Sequence, residues 1–284
     1  MTAAGDARPI GVFDSGVGGL SVLRAIRHEL PLERAVYVAD SGYAPYGDRP
    51  REFIEARALA IVDFLLQRDV KAVVVACNTA TGAAVHVLRE RLTIPVIAIE
   101  PAVKPAALQT RSGVVGVLAT TGTLSSQKFL DLVDRHGAGV QVLVQACPGL
   151  AEQIEAGELA SDETRALVTT LVRPLLEKSA DTLVLGCTHY PFVRDVIADV
   201  AGPSVTIIDP AVAVARELRR RLAAAGLLAA EESPSAPRDD AVEFWTTGDP
   251  VTVGEVISLV WGDAVDVRPL PESSQASGSR RPGL

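Results

Sequence analysis

Short apolar runs alternate along the first part of the chain with longer segments of helical periodicity. The runs show little alternation of polar and apolar residues, which is typical of strands buried on both faces. Strands are predicted at Ile10–Phe13, Val36–Ala39, a run from Ala72 that ends at Cys77, and Ile94–Ile99, and helices up to about Leu30, at Arg51–Arg68 and at Ala80–Arg91. This order of elements indicates a parallel sheet with helices on both faces.

A second series of the same kind starts at Gly113. Strands are predicted at Val114–Leu118, Val140–Val144, Thr182–Leu185 and Val205–Ile208, and helices at Ser125–His136, Ala151–Glu158 and Asp162–Lys178. In each series a polar turn precedes a strand-end cysteine at a similar distance, Asp14 before Cys77 and Thr120 before Cys187. We therefore predict an α/β fold of two pseudo-symmetric, doubly wound domains with mainly parallel sheets.

The sequence pattern in the C-terminal part of the chain predicts fewer regular elements. A helix is expected at Pro210–Gly226, followed by an exposed loop over residues 231–240. The helical pattern at Val251–Trp261 is flanked by candidate strands at Glu243–Thr247 and Ala264–Val267. From Pro269 onwards Ser, Gly, Pro and Arg dominate, so residues 269–284 are predicted to form a disordered tail.

Composition narrows the classes of function. The chain has 284 residues, of which 48% are hydrophobic, so it can bury a large core in two domains. Its net charge of −8 argues against a general affinity for nucleic acid or anionic lipid. Three cysteines without a C-x-x-C pair indicate a reducing compartment, and neither a secretory signal nor a membrane span is apparent. We expect a cytoplasmic protein.

Two cysteines are the main candidates for chemistry. Cys77 and Cys187 each end an apolar run and precede hydrogen-bonding residues. A thiol between a strand and a helix start is expected to have a lowered pKa. Two opposed thiols suit a proton that is taken from one face of a carbon and returned to the other. The alternative is that each buried cysteine is a small hydrophobic residue, which describes Cys147 well because it has no acid–base neighbours in sequence.

Other strand-end residues have structural alternatives as well. Asp14 and Ser15 begin a glycine-rich turn, where either side chain can serve as an ordinary helix N-cap. His189 is either a structural histidine or a proton relay beside Cys187. The turn from Ser15 to Gly19 lacks the spacing of a dinucleotide fingerprint, so nucleotide binding is set aside.

Four blocks of sequence resemble the signature of a known family. They are Gly11–Leu20, Ala44–Gly47, Ala76–Thr79 and Leu185–Pro191. The blocks are similar to those of the glutamate racemases within the cofactor-independent aspartate/glutamate racemase family, and the likeness runs from about Ile10 to Ile208. It implies two facing α/β domains with the active site in the cleft. The first domain would be discontinuous, comprising residues 1–98 and 209–268, and the second would comprise residues 99–208.

The resemblance also implies roles for individual residues. Cys77 would take the α-proton from D-glutamate and Cys187 from L-glutamate, with Asp14 and His189 as auxiliary acid–base groups. Substrate-binding positions would be Asp14, Ser15, Tyr46, Gly47, Asn78, Thr79, Thr120, Thr123, Thr188 and His189. Neither a cofactor nor a metal is expected. The segment Gly149–Glu155 is less apolar than the corresponding block of the family.

The functional expectation is a glutamate racemase that supplies D-glutamate for peptidoglycan. One alternative is a racemase of a related acid such as aspartate. A second is an additional protein-binding role, because some relatives bind and inhibit DNA gyrase. The expected partners are glutamate and a second copy of the chain in a homodimer, with no direct contact to nucleic acid or membrane.

Overall fold

The computed structural model describes residues 5–230 and 241–271 and contains two parallel sheets with helices on both faces. The strands are β1 Ile10–Asp14, β2 Ala35–Ala39, β3 Ala72–Val75, β4 Val96–Ala98, β5 Val114–Ala119, β6 Gln141–Ala146, β7 Thr182–Leu185, β8 Thr206–Ile208, β9 Val242–Thr246 and β10 Val267–Pro269. The helices are α1 Leu20–Glu29, α2 Arg51–Leu66, α3 Asn78–Arg91, α4 Val103–Gln109, α5 Thr121–Leu124, α6 Gln127–His136, α7 Leu150–Glu155, α8 Asp162–Glu177, α9 Arg194–Ala201, α10 Ala211–Ala225 and α11 Pro250–Trp261. Short 3₁₀ turns lie at Ser41–Tyr43 and Tyr190–Val193.

The two sheets share one topology. The first has the strand order β10-β9-β2-β1-β3-β4 and the second has the order β6-β5-β7-β8. All the paired strands run parallel. The segment β2-β1-β3-β4 of the first sheet therefore corresponds to the whole of the second. This repeat confirms the predicted pseudo-symmetric, doubly wound α/β fold.

The core consists of apolar layers on both faces of each sheet. Two hydrophobic clusters cover the first sheet and two cover the second. Strand β3, with the sequence Ala-Val-Val-Val, is buried at every position, because helices pack on both of its faces. Helix α10 packs against α1 on the first sheet, although it follows the last strand of the second.

Several element boundaries differ from the sequence-based predictions. The helix predicted at Ser125–His136 is present as α6 but begins at Gln127, because Ser126 caps it by accepting a hydrogen bond from the Phe129 N–H, and the polar turn before it contains the short helix α5. The predicted strand at Ala264–Val267 lies later in sequence, as β10. Leu270, inside the predicted tail, is buried and donates its backbone N–H to Thr246. The predicted loop at 231–240 and residues 272–284 of the predicted tail lie outside the described residues.

A buried ion pair lies at the amino-terminal end of the first sheet. The Lys71 Nζ atom is 2.5 Å from a carboxylate oxygen of Glu33, and both side chains are almost fully buried. Lys71 also donates to the Asp6 carbonyl at 2.6 Å, and the Ala229 N–H donates to Glu33 at 2.9 Å. The ion pair thus connects the segment before β1, which contains Asp6, and the segment after α10, which contains Ala229, to the first sheet. Within the described ranges no helix is long and apolar enough to cross a membrane.

Candidate active site

The sheet topology places two crevices at the carboxyl ends of the strands. Chain order reverses between β1 and β3 in the first sheet and between β5 and β7 in the second. In open α/β sheets such reversals separate the loops that follow neighbouring strands, and ligands bind there. Asp14 and Cys77 stand at the first reversal, whereas Thr120 and Cys187 stand at the second. The apolar runs end at these residues because the chain leaves the buried sheet there.

Both crevices open into one cavity of about 290 Å³, including its solvent-open part. This is near the lower limit for a small-molecule pocket. All predicted site residues except Asp14 and Thr123 line the cavity, and Pro45 and Ala151 complete its wall. Asp14 and Thr123 lie behind the wall, where they hydrogen-bond to residues that line it. The residues selected from both halves of the sequence therefore meet in one place.

The Cys77 thiol lies at the start of α3. Its sulfur accepts a hydrogen bond from the Ala80 N–H at 3.4 Å and lies 3.7 Å from the Ser15 hydroxyl oxygen. Burial raises the pKa of Cys77 well above its ordinary range, and the nearby Asp14 carboxyl adds to this effect. The predicted lowering of this pKa is therefore wrong, because desolvation outweighs the helix N–H. At neutral pH the Cys77 thiol is therefore protonated.

The Cys187 thiol has a different environment. Its sulfur is 3.6 Å from Nδ1 of His189, and Nε2 of that ring is 2.5 Å from a Glu155 carboxylate oxygen. Burial lowers the pKa of His189, but its contacts with Cys187 and Glu155 outweigh burial and hold the pKa well above the ordinary value. A carboxylate, an imidazole and a thiol in line resemble the arrangement that activates a nucleophile or base.

Glu155 was absent from the residues selected by sequence. Besides His189, its carboxylate accepts the Val17 N–H at 2.6 Å and lies 3.4 Å from the Ser41 hydroxyl. Glu155 ends α7 over the second sheet, whereas Val17 and Ser41 follow strands of the first. The carboxylate therefore links the two domains beside the cavity. The departure of Gly149–Glu155 from the family block draws attention to this segment, although it does not single out the carboxylate.

Asp14 holds the two domains together from the other side. One carboxylate oxygen accepts hydrogen bonds from the Ser15 N–H at 2.5 Å and hydroxyl at 2.9 Å. The other accepts from the Thr188 hydroxyl at 2.6 Å. Burial raises the pKa of Asp14, while the charge on His189 and the hydroxyl donors oppose that shift. The carboxylate is thus fixed between the two thiol-bearing loops.

Three threonine hydroxyls form a triangle across the cleft. Thr79 of the first domain is 2.9 Å from Thr120 and 3.2 Å from Thr123, measured between Oγ1 atoms, and the last two are 3.0 Å apart. Beside the triangle, the Gly122 N–H donates to the Gly47 carbonyl at 2.9 Å. These three predicted binding hydroxyls are therefore bonded to one another.

A buried network anchors Tyr46 in the cavity wall. The Tyr46 hydroxyl donates to Asp40, which also accepts from Arg57 at 2.8 and 3.0 Å and from the Thr247 hydroxyl at 2.9 Å. Arg57 and Asp40 are fully buried. The Arg57 guanidinium stacks on the ring of Tyr43, 3.7 Å from its centroid. Sequence reasoning also missed this pair, although Asp40 directly follows β2.

Asn78 and Cys147 differ in their access to the cavity. Asn78 lines it, and neither polar atom of the buried amide has a hydrogen-bond partner among the described residues. The amide is therefore available to a ligand. Cys147 does not line the cavity, and its thiol donates to the Gln145 carbonyl at 3.4 Å. Burial raises the pKa of Cys147 to about 12.

Comparison with known proteins agrees with this geometry. The family described as Asp/Glu/Hydantoin racemase matches residues 10–218. The chain belongs to this family. It is accordingly an amino-acid racemase, an enzyme of the isomerase class. The sequence is 55% identical over 267 residues to a glutamate racemase of Methylococcus capsulatus. This alignment covers 94% of this chain and 97% of that protein.

Two solved structures support the same membership. Glutamate racemase isoform RacE1 of Bacillus anthracis superposes with a TM-score of 0.81 at 36% identity, covering 93% of this chain and 97% of that one. Glutamate racemase of Francisella tularensis in complex with D-glutamate has a TM-score of 0.80 at 29% identity, covering 95% and 99%. The two-domain racemase fold is thus shared along nearly the whole length.

Proposed function

We propose that this racemase interconverts L- and D-glutamate by moving the α-proton between Cys77 and Cys187. The observation that carries the proposal is that two thiols from different sheets line one small cavity, each with its own acid–base neighbours. The names and high identity of the curated relatives support glutamate, rather than aspartate, as the substrate.

The environments of the thiols support a direction for each step. The His189 imidazolium stabilises negative charge on the Cys187 sulfur, so Cys187 takes the α-proton of L-glutamate. The electron pair of the broken C–H bond moves onto the α-carboxylate. Cys77 then delivers its thiol proton to the opposite face of the carbon and becomes a thiolate. The reverse reaction starts from that thiolate and uses D-glutamate.

Hydrogen-bond donors, rather than cations, would hold the substrate. Among the residues that the structure describes, the cavity lining contains hydroxyls, the Asn78 amide and helix starts, but neither Lys nor Arg. Backbone N–H groups and hydroxyls can bind carboxylates without a formal positive charge. The negative charge of Asp14, behind the cavity wall, would attract the substrate ammonium. The reaction written above uses neither a metal nor pyridoxal phosphate.

We propose further that the D-glutamate serves peptidoglycan synthesis in the cytoplasm. This role rests on the resemblance to glutamate racemases and on the reducing compartment indicated by the free cysteines. The division into domains at residues 1–98 with 209–268 and 99–208, the homodimer and the contact with DNA gyrase stay predictions of that resemblance.

The two-thiol reaction is tested with cysteine-to-serine variants and both enantiomers of 3-chloroglutamate. Elimination of chloride from this analogue needs only one proton abstraction. A serine hydroxyl is a poor base at neutral pH, so Cys77→Ser should fail with the D enantiomer and Cys187→Ser with the L enantiomer. Chloride release is the measurement, and Cys147→Ser is the matched control that should retain both activities.

Both singly substituted variants should also lose racemisation of glutamate. If either variant is impaired equally on both enantiomers, the assignment of one thiol to each enantiomer is wrong. If wild-type protein racemises aspartate faster than glutamate, the substrate assignment is wrong.

A further inference from the structure

Ser21 lies at the contact between the two domains and outside the cavity lining. It is the second residue of α1, and its hydroxyl oxygen is 2.9 Å from two backbone carbonyls. One carbonyl belongs to Gly18, in the turn that begins the same helix. The other belongs to Thr188, in the second domain, between Cys187 and His189. A serine hydroxyl carries one proton, so one full hydrogen bond to either carbonyl excludes the other.

Thr188 is held by the first domain at two points. Its hydroxyl donates to Asp14, and its carbonyl lies within reach of Ser21. The approach is close, because a Cβ atom on Gly18 would lie 2.7 Å from the Thr188 hydroxyl oxygen and 2.4 Å from His189. The loop that carries the second thiol therefore packs directly on the start of α1.

Only one of these two ties is independent of the substrate. On the proposed function, Asp14 attracts the substrate ammonium and Thr188 contributes its hydroxyl to substrate binding. Their mutual hydrogen bond must then be weakened or exchanged when glutamate enters. Ser21 reaches the backbone of Thr188 and lines no part of the cavity, so its bond can persist.

We propose that Ser21 is a positioning residue that holds the Cys187–His189 loop against the first domain during turnover. The inference rests on the proposed function. Ser21 acts through the Thr188 carbonyl and keeps the Cys187 sulfur in register with the face of the substrate opposite Cys77. The Gly18 carbonyl is the alternative acceptor, so loss of the bond to Thr188 leaves no unpaired hydroxyl in the helix.

Replacement of Ser21 by Ala separates this role from a structural one. Alanine is the better helix former, so α1 itself is not weakened. Loss of one hydrogen bond of ordinary strength should reduce kcat/KM for glutamate by roughly 2- to 12-fold. The loss should lie mainly in kcat, because substrate contacts with both domains remain. The reduction must be equal for the two enantiomers, since they have equal free energies.

A second measurement requires no substrate. In ligand-free Ser21→Ala, amide hydrogen exchange of residues 185–193 should accelerate by a similar factor. The matched control is Thr170→Ala, which removes a 3.0 Å hydroxyl bond to the Ala166 carbonyl within α8, on an exposed surface. The control should leave both measurements unchanged. Ser21→Thr retains a hydroxyl that can bond either carbonyl and should restore both.

The outcomes separate the competing explanations. If Ser21→Ala matches the control in both measurements, the inference is wrong. It is also wrong if kcat/KM falls while exchange of residues 185–193 is unchanged, or if Ser21→Thr is as impaired as Ser21→Ala. Wild-type protein that fails to racemise glutamate overturns the proposed function instead, and the exchange comparison then still decides whether Ser21 holds the loop.

Discussion

Glu155→Gln would remove one negative charge from the group that holds His189 while preserving its shape. The Glu155 carboxylate lies 2.5 Å from the His189 ring, and their side chains are 18% and 5% exposed. Water therefore screens this pair only weakly. The amide can still accept a hydrogen bond from the ring, so the substitution tests the charge rather than the packing.

The expected loss of activity follows from the Glu155–His189 contact, which is the contact that the substitution changes. A hydrogen bond to a charged group contributes about 1.5–3 kcal/mol. Because the Glu155 charge helps to raise the pKa of His189, that pKa should fall in the variant. If the whole loss reaches the transition state, kcat/KM should fall by about 10- to 150-fold.

The dependence of stability on pH has a definite sign. Because the pKa of folded His189 is raised above its unfolded value, its protonation stabilises the fold fully below the unfolded pKa. This stabilisation is lost as the pH rises through the folded pKa. Glu155→Gln should therefore be least stable relative to wild type below about pH 6.5, where the imidazolium loses its partner. The difference should shrink at higher pH.

Urea unfolding across pH 6 to 9 and initial rates of racemisation together measure both effects. Glu152→Gln is the matched control, because Glu152 is exposed on the same helix and lies away from the cavity lining. A Glu155→Gln protein with the pH dependence and kcat/KM of this control would refute the view that Glu155 maintains the charge on His189.

Two further substitutions test the buried Lys71–Glu33 ion pair and the close approach of Gly122 to Gly47. Lys71→Met should lower the free energy of unfolding by about 3–5 kcal/mol, because buried Glu33 loses its cation. Urea unfolding checks this, and unchanged stability would contradict it. Gly122→Ala should reduce kcat/KM at least about tenfold, because the new Cβ would meet the Gly47 carbonyl oxygen at 2.7 Å. In Gly254→Ala, the control, the nearest atom is 3.6 Å away, and equal racemisation rates in both variants would refute the clash.

Residues at strand ends were predictable because their position depends on local pattern and simple topology. Asp14, Cys77 and Cys187 each come at the end of an apolar run, and the carboxyl ends of parallel strands meet at one edge of a sheet. The substrate-binding set was selected instead from its match to family blocks. Its members come together here because the two reversals of strand order face one another.

Contacts that depend on how the two domains pack could not be derived in this way. Glu155 ends a helix, and its partner His189 is 34 residues away in sequence. Nothing in the local pattern of α7 selects this carboxylate over its exposed neighbour Glu152. The prediction of a lowered pKa for Cys77 was wrong for a related reason. The helix start that would lower the pKa is visible in sequence, whereas the desolvation that raises it depends on the packing of the whole fold.

The hydrogen bonds within the threonine triangle limit the affinity that its three hydroxyls can contribute to ligand binding. Thr79, Thr120 and Thr123 already satisfy one another, and Thr188 already has Asp14, so on the proposed function glutamate exchanges partners at these four hydroxyls and gains an unpartnered group only at Asn78. An exchanged hydrogen bond contributes little net affinity. For a catalyst whose substrate and product are mirror images, this is an advantage. A site that bound one enantiomer tightly would be inhibited by that enantiomer, whereas a site whose hydroxyls can pair with one another again when the ligand leaves favours release of both.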